Sequence, residues 1–159
     1  MTNQLLLFTD GSMNPQSKIG YGAYLAIPGL NIPIDILKDH IKVKRFINTS
    51  STKLELETLL WAFKEINPKV KKVILYTDSQ NIIGLQARKE RFEKNNYLSK
   101  KQKPIRNREL YKEFFTISDN LDLELFKVDG HKPSKQKDTI DTFFNLVDKA
   151  SRRALRENY

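Results

Sequence analysis

The chain of 159 residues contains no cysteine, so disulfides and thiolate metal sites are excluded and the composition favours a cytoplasmic protein. No apolar run is long enough to span a membrane, and the N-terminus lacks the charged stretch followed by an apolar one that marks a secretion signal. Internal repeats and interdomain linkers are also absent. We therefore expect a single domain over residues 1–159 that acts as a monomer, without membrane contact.

Acidic residues are outnumbered by basic ones, 19 to 28, which gives a net charge of +9. Nine of the basic residues lie between Gln86 and Arg108 with only two glutamates, so this segment carries +7 and the remainder of the chain +2. Phe92 and Tyr97 interrupt the basic run. Such a segment suits contact with the phosphates, sugars or bases of a nucleic acid. A solvated charged helix and loop is the alternative, and the salt dependence of binding would separate the two.

Apolar spacing predicts strands that alternate with helices. The predicted strands are near 4–10, 20–28, 41–47, 73–76 and 121–128, and the predicted helices near 53–66, 79–88, 107–118 and 139–156. A loop through Pro28, Gly29 and Pro33 is expected between the second and third strands. Three early strands followed by alternating helices and strands indicate an α/β fold with a five-stranded mixed sheet flanked by helices.

Four carboxylates stand at positions where they could meet. Asp10 follows the apolar run at the start of the chain, Asp78 follows a buried strand, Glu55 opens the first long helix and Asp148 lies in the last one. If the strands of Asp10 and Asp78 are neighbours, these acids crowd together and repel unless a cation screens them. Oxygen ligands alone select hard ions such as Mg²⁺ or Mn²⁺, and two such ions can hydrolyse a phosphodiester.

Each candidate also has a local explanation that involves no chemistry. These are a hairpin turn at Asp10-Gly11, a capping box of Thr52 with Glu55, a helix cap at Asp78 or Ser79, an ion pair of Asp148 with Arg152, and an ordinary exposed position for the loop residue His131.

Taken together, these motifs resemble the type 1 ribonuclease H family over nearly the whole chain. They are TDGS at 9–12, GYGA at 20–23, TSSTKLELETLLWAF at 49–63, VILYTDSQ at 73–80, VDGH at 128–131 and VDK at 147–149. Alignment of the helix without gaps selects Glu55 rather than Glu57. Residues 88–106 resemble the basic protrusion with which the family holds its substrate.

The resemblance implies a ribonuclease H-like fold and an endonuclease that cuts the RNA strand of RNA–DNA hybrids with two Mg²⁺ ions, with Mn²⁺ as an alternative metal. The products would carry 5′-phosphate and 3′-hydroxyl ends. Asp10, Glu55, Asp78 and Asp148 would be the metal ligands, and His131 would position water or assist product departure. Side chains expected to contact the hybrid are Asn14, Ser50, Ser51, Thr52, Gln80, Asn81, Lys89, Arg91, Lys94, Lys100, Lys101 and Lys103.

The chain departs from the family pattern in two places that bear on substrate contact. The loop after Asp10 is short, with Asn14-Pro15 following early, which affects the expected contact of Asn14. Ser51 and Thr52 replace the usual pair of asparagines before the helix acid, so hydrogen bonds to the minor groove would differ.

A third departure concerns the last acid. The interval from His131 to Asp148 is longer than usual, so Asp141 or Asp138 could be the fourth ligand instead. We favour Asp148 because the small residues after it fit the last helix of the family. Two other functions stay open: a nucleic-acid-binding module that has lost catalysis, and another nuclease of the same fold. Retention of four mutually repelling acids argues against the first, and the order of the motifs argues against the second.

Overall fold

The computed structural model describes residues 4–66, 70–129 and 138–158, which form one five-stranded sheet and six helices. The strands are β1 Gln4–Asn14, β2 Ile19–Ile27, β3 Lys42–Phe46, β4 Lys72–Thr77 and β5 Asp122–Lys127. The helices are α1 Ile34–His40, α2 Ser51–Glu65, α3 Gln80–Ile83, α4 Leu85–Lys94, α5 Arg108–Asp119 and α6 Thr139–Glu157. None of these described helices is both long enough and apolar enough to cross a membrane.

The sheet is mixed, with strand order β3-β2-β1-β4-β5. β1, β2 and β3 form the antiparallel half, and β4 and β5 join the other edge of β1 in parallel. The predicted α/β fold with three early antiparallel strands is therefore confirmed. Because β1 and β4 are neighbours, Asp10 and Asp78 emerge side by side, as the sequence reasoning required.

β1 does not end at Asp10. It continues to Asn14, with Asp10 opposite Ala23 and Gly11 opposite Gly22 on β2. The chain turns only after Asn14, whose carbonyl accepts a 2.9 Å hydrogen bond from the amide of Lys18. Both the expected strand end at Asp10 and the alternative hairpin turn at Asp10-Gly11 are wrong, because pairing with β2 keeps this dipeptide extended.

Helix boundaries differ from the prediction in three places. The expected loop before the third strand contains α1, a helix of seven residues. α2 begins at Ser51 with Ser50 as its cap, so Glu55 lies in its second turn and the proposed capping box of Thr52 with Glu55 is wrong. The single helix expected from residue 79 is divided into α3 and α4 at Gly84.

Helices cover both faces of the sheet. α2 and α5 bury one face around side chains such as Leu7, Leu59 and Phe114, and α6 with α1 buries the other around Phe8, Leu25 and Phe143. Burial of apolar side chains on both faces accounts for the nearly continuous apolar runs of β1 and β4. The acids at the end of this core therefore rest on rigid elements.

Three glycines let α2 approach the backbone of the first hairpin, and we call Gly11, Gly20 and Gly22 the glycine seam. A Cβ atom at Gly11 or Gly20 would lie 2.8 or 2.7 Å from a side-chain carbon of Leu54. At Gly22 it would meet Thr58 Oγ1 at 2.0 Å. Because both partners belong to α2, the seam fixes how close this helix sits to the two strands.

Candidate active site

Asp10 and Asp148 meet at the centre of the site. They come from β1 and α6, and their side chains share a hydrogen bond. Burial, this hydrogen bond and the nearby charge of Asp78 raise the pKa of Asp10 to about 9. The neutral form of Asp10 is therefore favoured while no cation screens the cluster. A second contact between β1 and α6 is the hydrogen bond between the hydroxyl groups of Ser12 and Ser151, whose oxygens lie 3.1 Å apart.

Glu55 and Asp78 form the other side of the site. Asp10, Glu55 and Asp78 line the same small cleft with Thr9, Thr77 and other neighbours. Burial raises the pKa of Glu55, and the charge of Asp78 adds to this effect, while a hydrogen bond from Ser79 opposes it. The structure therefore gathers the four predicted acids from four different elements at one end of the sheet.

From the sequence, Ser79 is expected only as a possible helix cap. The structure confirms that its hydroxyl caps α3 by accepting from the amide of Ile82 at 3.2 Å. The same hydroxyl donates to Glu55 Oε2 at 2.5 Å. The TDSQ motif predicts the cap contact with Ile82. The sequence around Ser79 does not predict the contact with Glu55, because the two residues are 24 positions apart. Ser79 therefore positions Glu55.

A cation would suit this donor set. All four side chains are carboxylates, which are the ligands that Mg²⁺ and Mn²⁺ prefer. Among the described residues, no group of three acids or histidines is arranged to hold a metal as it stands. Ser79 engages one oxygen of Glu55, and burial with neighbouring negative charge raises the pKa of Asp10. Positive charge at the cluster would favour the ionised carboxylates and so their coordination of a cation.

The structure separates the candidates for the fourth acid. Asp148 contacts Asp10 and also forms the expected pair with Arg152, at 3.0 Å. Asp141 is buried two turns earlier on α6, about 10 Å away along the helix axis. It forms a capping box with Asp138, in which each side chain accepts a hydrogen bond from the other residue's amide. Asp141 and Asp138 thus have a structural role at the start of α6.

The polar residues expected to read the hybrid occupy different settings. Asn14 is buried, and its Oδ1 accepts hydrogen bonds from the amides of Gln16 and Ser17 in the short turn. Ser50 caps α2, while Ser51 and Gln80 are exposed at the first positions of α2 and α3. Thr52 is half-buried on α2. The open side chains near Glu55 and Asp78 are therefore those of Ser51 and Gln80.

The basic protrusion consists of α4 and the segment that returns from it to α5. The Phe92 side chain is half-buried and packs against other aromatic rings of the protein. Tyr97 is buried, and the Phe92 ring lies 5.9 Å from it and 5.2 Å from the ring of Tyr111. These aromatic side chains anchor the protrusion to α5, and the expectation that they meet sugars or bases is wrong.

Most of the protrusion's cations are free to meet phosphates, but Arg88 and Lys89 are not. Arg88 is half-buried and donates hydrogen bonds to the carbonyl oxygens of Asn81 and Gly84, and the Lys89 ammonium forms a 2.6 Å ion pair with Asp119 on α5. Arg91 lies over the Phe92 ring, and its side chain is otherwise exposed. The remaining predicted cations, Lys94, Lys100, Lys101 and Lys103, are exposed. His131, the predicted loop histidine, lies outside the described residues.

Neutralising the tip of the protrusion should weaken hybrid binding without affecting turnover. We expect the variant Lys100→Gln/Lys101→Gln/Lys103→Gln to bind the hybrid less tightly. The slope of log K against log[salt] should become less negative by about two to three, which is one for each lost phosphate contact. Deleting residues 90–103 would be a poorer test, since it removes the Phe92 anchor. Neutralising three exposed lysines elsewhere, Lys38, Lys42 and Lys71, provides the control. Equal slopes for the two variants in fluorescence anisotropy would contradict the assignment.

Removing the Ser79 hydroxyl should reduce activity through Glu55. We expect Ser79→Ala to lower kcat by about 10- to 100-fold, as loss of a partner that orients a metal ligand does. Loss of the α3 cap should lower the free energy of unfolding by about 1 kcal/mol. Ser79→Thr keeps the hydroxyl and should restore kcat. A stability loss with unchanged kcat would mean that Ser79 only caps the helix.

Known proteins are similar to this chain over most of its length. The family model for RNase H matches residues 2–149. A protein named Ribonuclease H from Thermoanaerobacter sp. (strain X514) is 29% identical over 156 residues, covering 96% of this chain and 92% of its own length. Another of that name, from Caldanaerobacter subterraneus subsp. tengcongensis, is 27% identical, with coverages of 96% and 94%.

A solved structure also shares the fold. It is the foamy viral protease-reverse transcriptase in complex with dsDNA, which matches with a TM-score of 0.65 and 12% identity over 93% of this chain and 92% of that chain. The extent of the family match settles the classification: the chain belongs to the RNase H family. The expectation of a type 1 ribonuclease H, a hydrolase, is thereby confirmed.

Proposed function

We propose that this protein hydrolyses the RNA strand of RNA–DNA hybrids with two Mg²⁺ ions and leaves 5′-phosphate and 3′-hydroxyl ends. The observation that carries the proposal is the convergence of four carboxylates at one end of the sheet. Such crowding costs folding free energy, and a pair of divalent cations would offset it. We also propose that the protein is a cytoplasmic monomer, and light scattering after size exclusion would test the oligomeric state.

In this proposal Asp10, Glu55, Asp78 and Asp148 hold the metal ions. When bound, the ions would activate a water and stabilise the leaving oxygen of the phosphodiester. Ser79 keeps Glu55 oriented, and Arg152 places a guanidinium beside Asp148. Cations at the tip of the protrusion hold the backbone of the hybrid, while Ser51 and Gln80 donate to sugar hydroxyls near the acids. His131 positions water or assists product departure.

Cleavage of an end-labelled RNA–DNA hybrid tests the proposal most directly. RNA duplex, DNA duplex and single-stranded RNA would be assayed beside it with Mg²⁺, each with and without EDTA. We expect cutting of the hybrid's RNA strand alone, dependent on metal, with products that can be ligated only through a 5′-phosphate. Preferential cutting of another substrate would indicate a different nuclease of the same fold. Salt-sensitive binding of the hybrid without cutting would indicate a nucleic-acid-binding module.

A further inference from the structure

A basic groove lies between the C-terminal half of α6 and the outer part of the sheet, and its lining includes Arg152, the ion-pair partner of Asp148. Its volume is about 910 Å³. One wall is α6 from Leu146 to Asn158, and the other is formed by α1 and β3. It exists because the sheet extends to β3, while the short helix α1 covers only part of the face beside α6.

The floor of this groove is aliphatic. Val43 lines it from β3, Ile41 from the junction of α1 and β3, and Leu146, Ala150 and Ala154 from α6. Val43 is 40% exposed, which is unusual for a valine on a sheet face that is otherwise covered. Apolar surface that stays open to water in a concave site is typical of places where another molecule binds.

The rim of the groove is cationic. The basic residues that line it are Lys38, Arg45, Lys149, Arg152, Arg153 and Arg156. Arg152 pairs with Asp148 and Arg153 pairs with Glu157, but within the described residues the other four form no ion pair. The position of Arg156 in the last turn of α6 is explained by its attraction to the negative end of the helix dipole. This attraction does not account for Lys38 and Arg45, which reach the same groove from α1 and β3.

We propose that this groove binds an acidic protein segment in which apolar side chains alternate with aspartate or glutamate. The apolar side chains would cover Ile41 and Val43, and the carboxylates would meet the cationic rim. From Leu146 to Asn158 the groove is about 18 Å long, which matches about five residues of extended chain. This proposal goes beyond cleavage of the hybrid and does not depend on it.

A nucleic acid fits the groove less well. Phosphates and sugars would leave the aliphatic floor without a partner, because backbone contacts need charge rather than apolar surface. Single strands bind by stacking bases on open aromatic faces. The one aromatic residue that lines the groove, among those described, is Tyr21, which is only 8% exposed.

Binding of a defined peptide tests the inference. The probe is a fluorescein-labelled ten-residue peptide of alternating aspartate and leucine with blocked ends, measured by anisotropy with the full-length protein. Comparison probes replace leucine by serine, or aspartate by lysine, and a labelled strand of ten deoxythymidines represents nucleic acid. We expect the aspartate–leucine peptide to bind at least tenfold more tightly than the other three.

Charge reversal then locates the site. Arg45→Glu/Arg156→Glu should weaken peptide binding at least tenfold, and Val43→Ser should weaken it severalfold while the protein stays folded by circular dichroism. The matched control, Lys100→Glu/Lys103→Glu, makes the same change of charge on the protrusion and should alter peptide binding less than twofold. Hybrid cleavage by the groove variants should stay within about twofold of the unaltered protein.

Three results would overturn the inference. Equal weakening by the groove and protrusion reversals would mean non-specific attraction to a basic protein. Equal binding of the aspartate–serine peptide would mean that the floor takes no part. Preferential binding of the deoxythymidine strand, lost in the groove reversal, would make the groove a nucleic-acid site. Because cleavage is measured separately, failure of the peptide to bind leaves the proposed nuclease function as a distinct question.

Discussion

Replacing Asp10 with asparagine should abolish hybrid cleavage and at the same time make the metal-free protein harder to unfold. Asparagine has the shape of the protonated aspartate and can still donate a hydrogen bond to Asp148. It cannot supply the negative charge that a metal ligand needs. We expect kcat to fall by more than about 100-fold, which is beyond the effect of losing a partner that only orients a ligand.

The gain in stability follows from linkage. The pKa of Asp10 is raised from 3.8 to about 9, so between these values the folded protein holds a proton that the unfolded chain has released. The free energy of unfolding therefore falls as pH rises through this window, and it is highest at its acidic end. Asparagine does not titrate, so the variant should lose less stability as pH rises.

Thermal unfolding in EDTA at pH 5 and pH 8.5 measures this effect. The variant should exceed the unaltered protein in Tm by more at pH 8.5 than at pH 5, and adding Mg²⁺ should narrow the gap by stabilising only the protein with Asp10. Asp39→Asn, an exposed change on α1, provides the control. An Asp10→Asn protein that still cuts the hybrid would remove Asp10 from the site.

Asparagine at 148 should remove most of the activity, whereas asparagine at 141 should leave activity nearly unchanged. Asp148 touches Asp10, so we expect Asp148→Asn to lower kcat by more than about 100-fold with little change in secondary structure. Asp141 serves the capping box of α6, where asparagine can still accept a hydrogen bond. Asp141→Asn should therefore cost less than about 1 kcal/mol of stability and leave kcat within about threefold.

Single-turnover cleavage with saturating enzyme, together with urea unfolding, separates the two effects. Activity is compared per folded molecule, so that a loss of stability is not mistaken for a loss of catalysis. If Asp141→Asn were inactive and Asp148→Asn active, the fourth ligand would be Asp141, two helical turns before Asp148. The capping box would then have to open for catalysis.

The sheet and its order could be predicted because they depend on long apolar runs and on motifs that persist over the whole chain. The end of β1 could not. Asp10-Gly11 reads locally as a turn, and only the partner strand, with Ala23 opposite Asp10, keeps it extended. Pairing between strands is a non-local interaction, so the local pattern of residues does not report it.

The four acids were found from sequence, but the groups that hold them were not. Ser79 contacts Glu55 across 24 residues, and the Asp10–Asp148 contact joins the first strand to the last helix. Phe92 and Tyr97 illustrate the opposite error. Aromatics within a basic run suggested contact with a nucleic acid, yet their rings are needed to anchor an otherwise highly charged segment to the protein.

The glycine seam has a consequence for how the site tolerates change. Glu55 lies one residue from Leu54 and three from Thr58, the two side chains that press on the seam. An added methyl group at Gly22 would displace Thr58, and the acid would move with its helix. The spacing of the acids thus depends partly on glycines, which bear no side chain. A substitution at one of these glycines would alter catalysis although all four acids were still present.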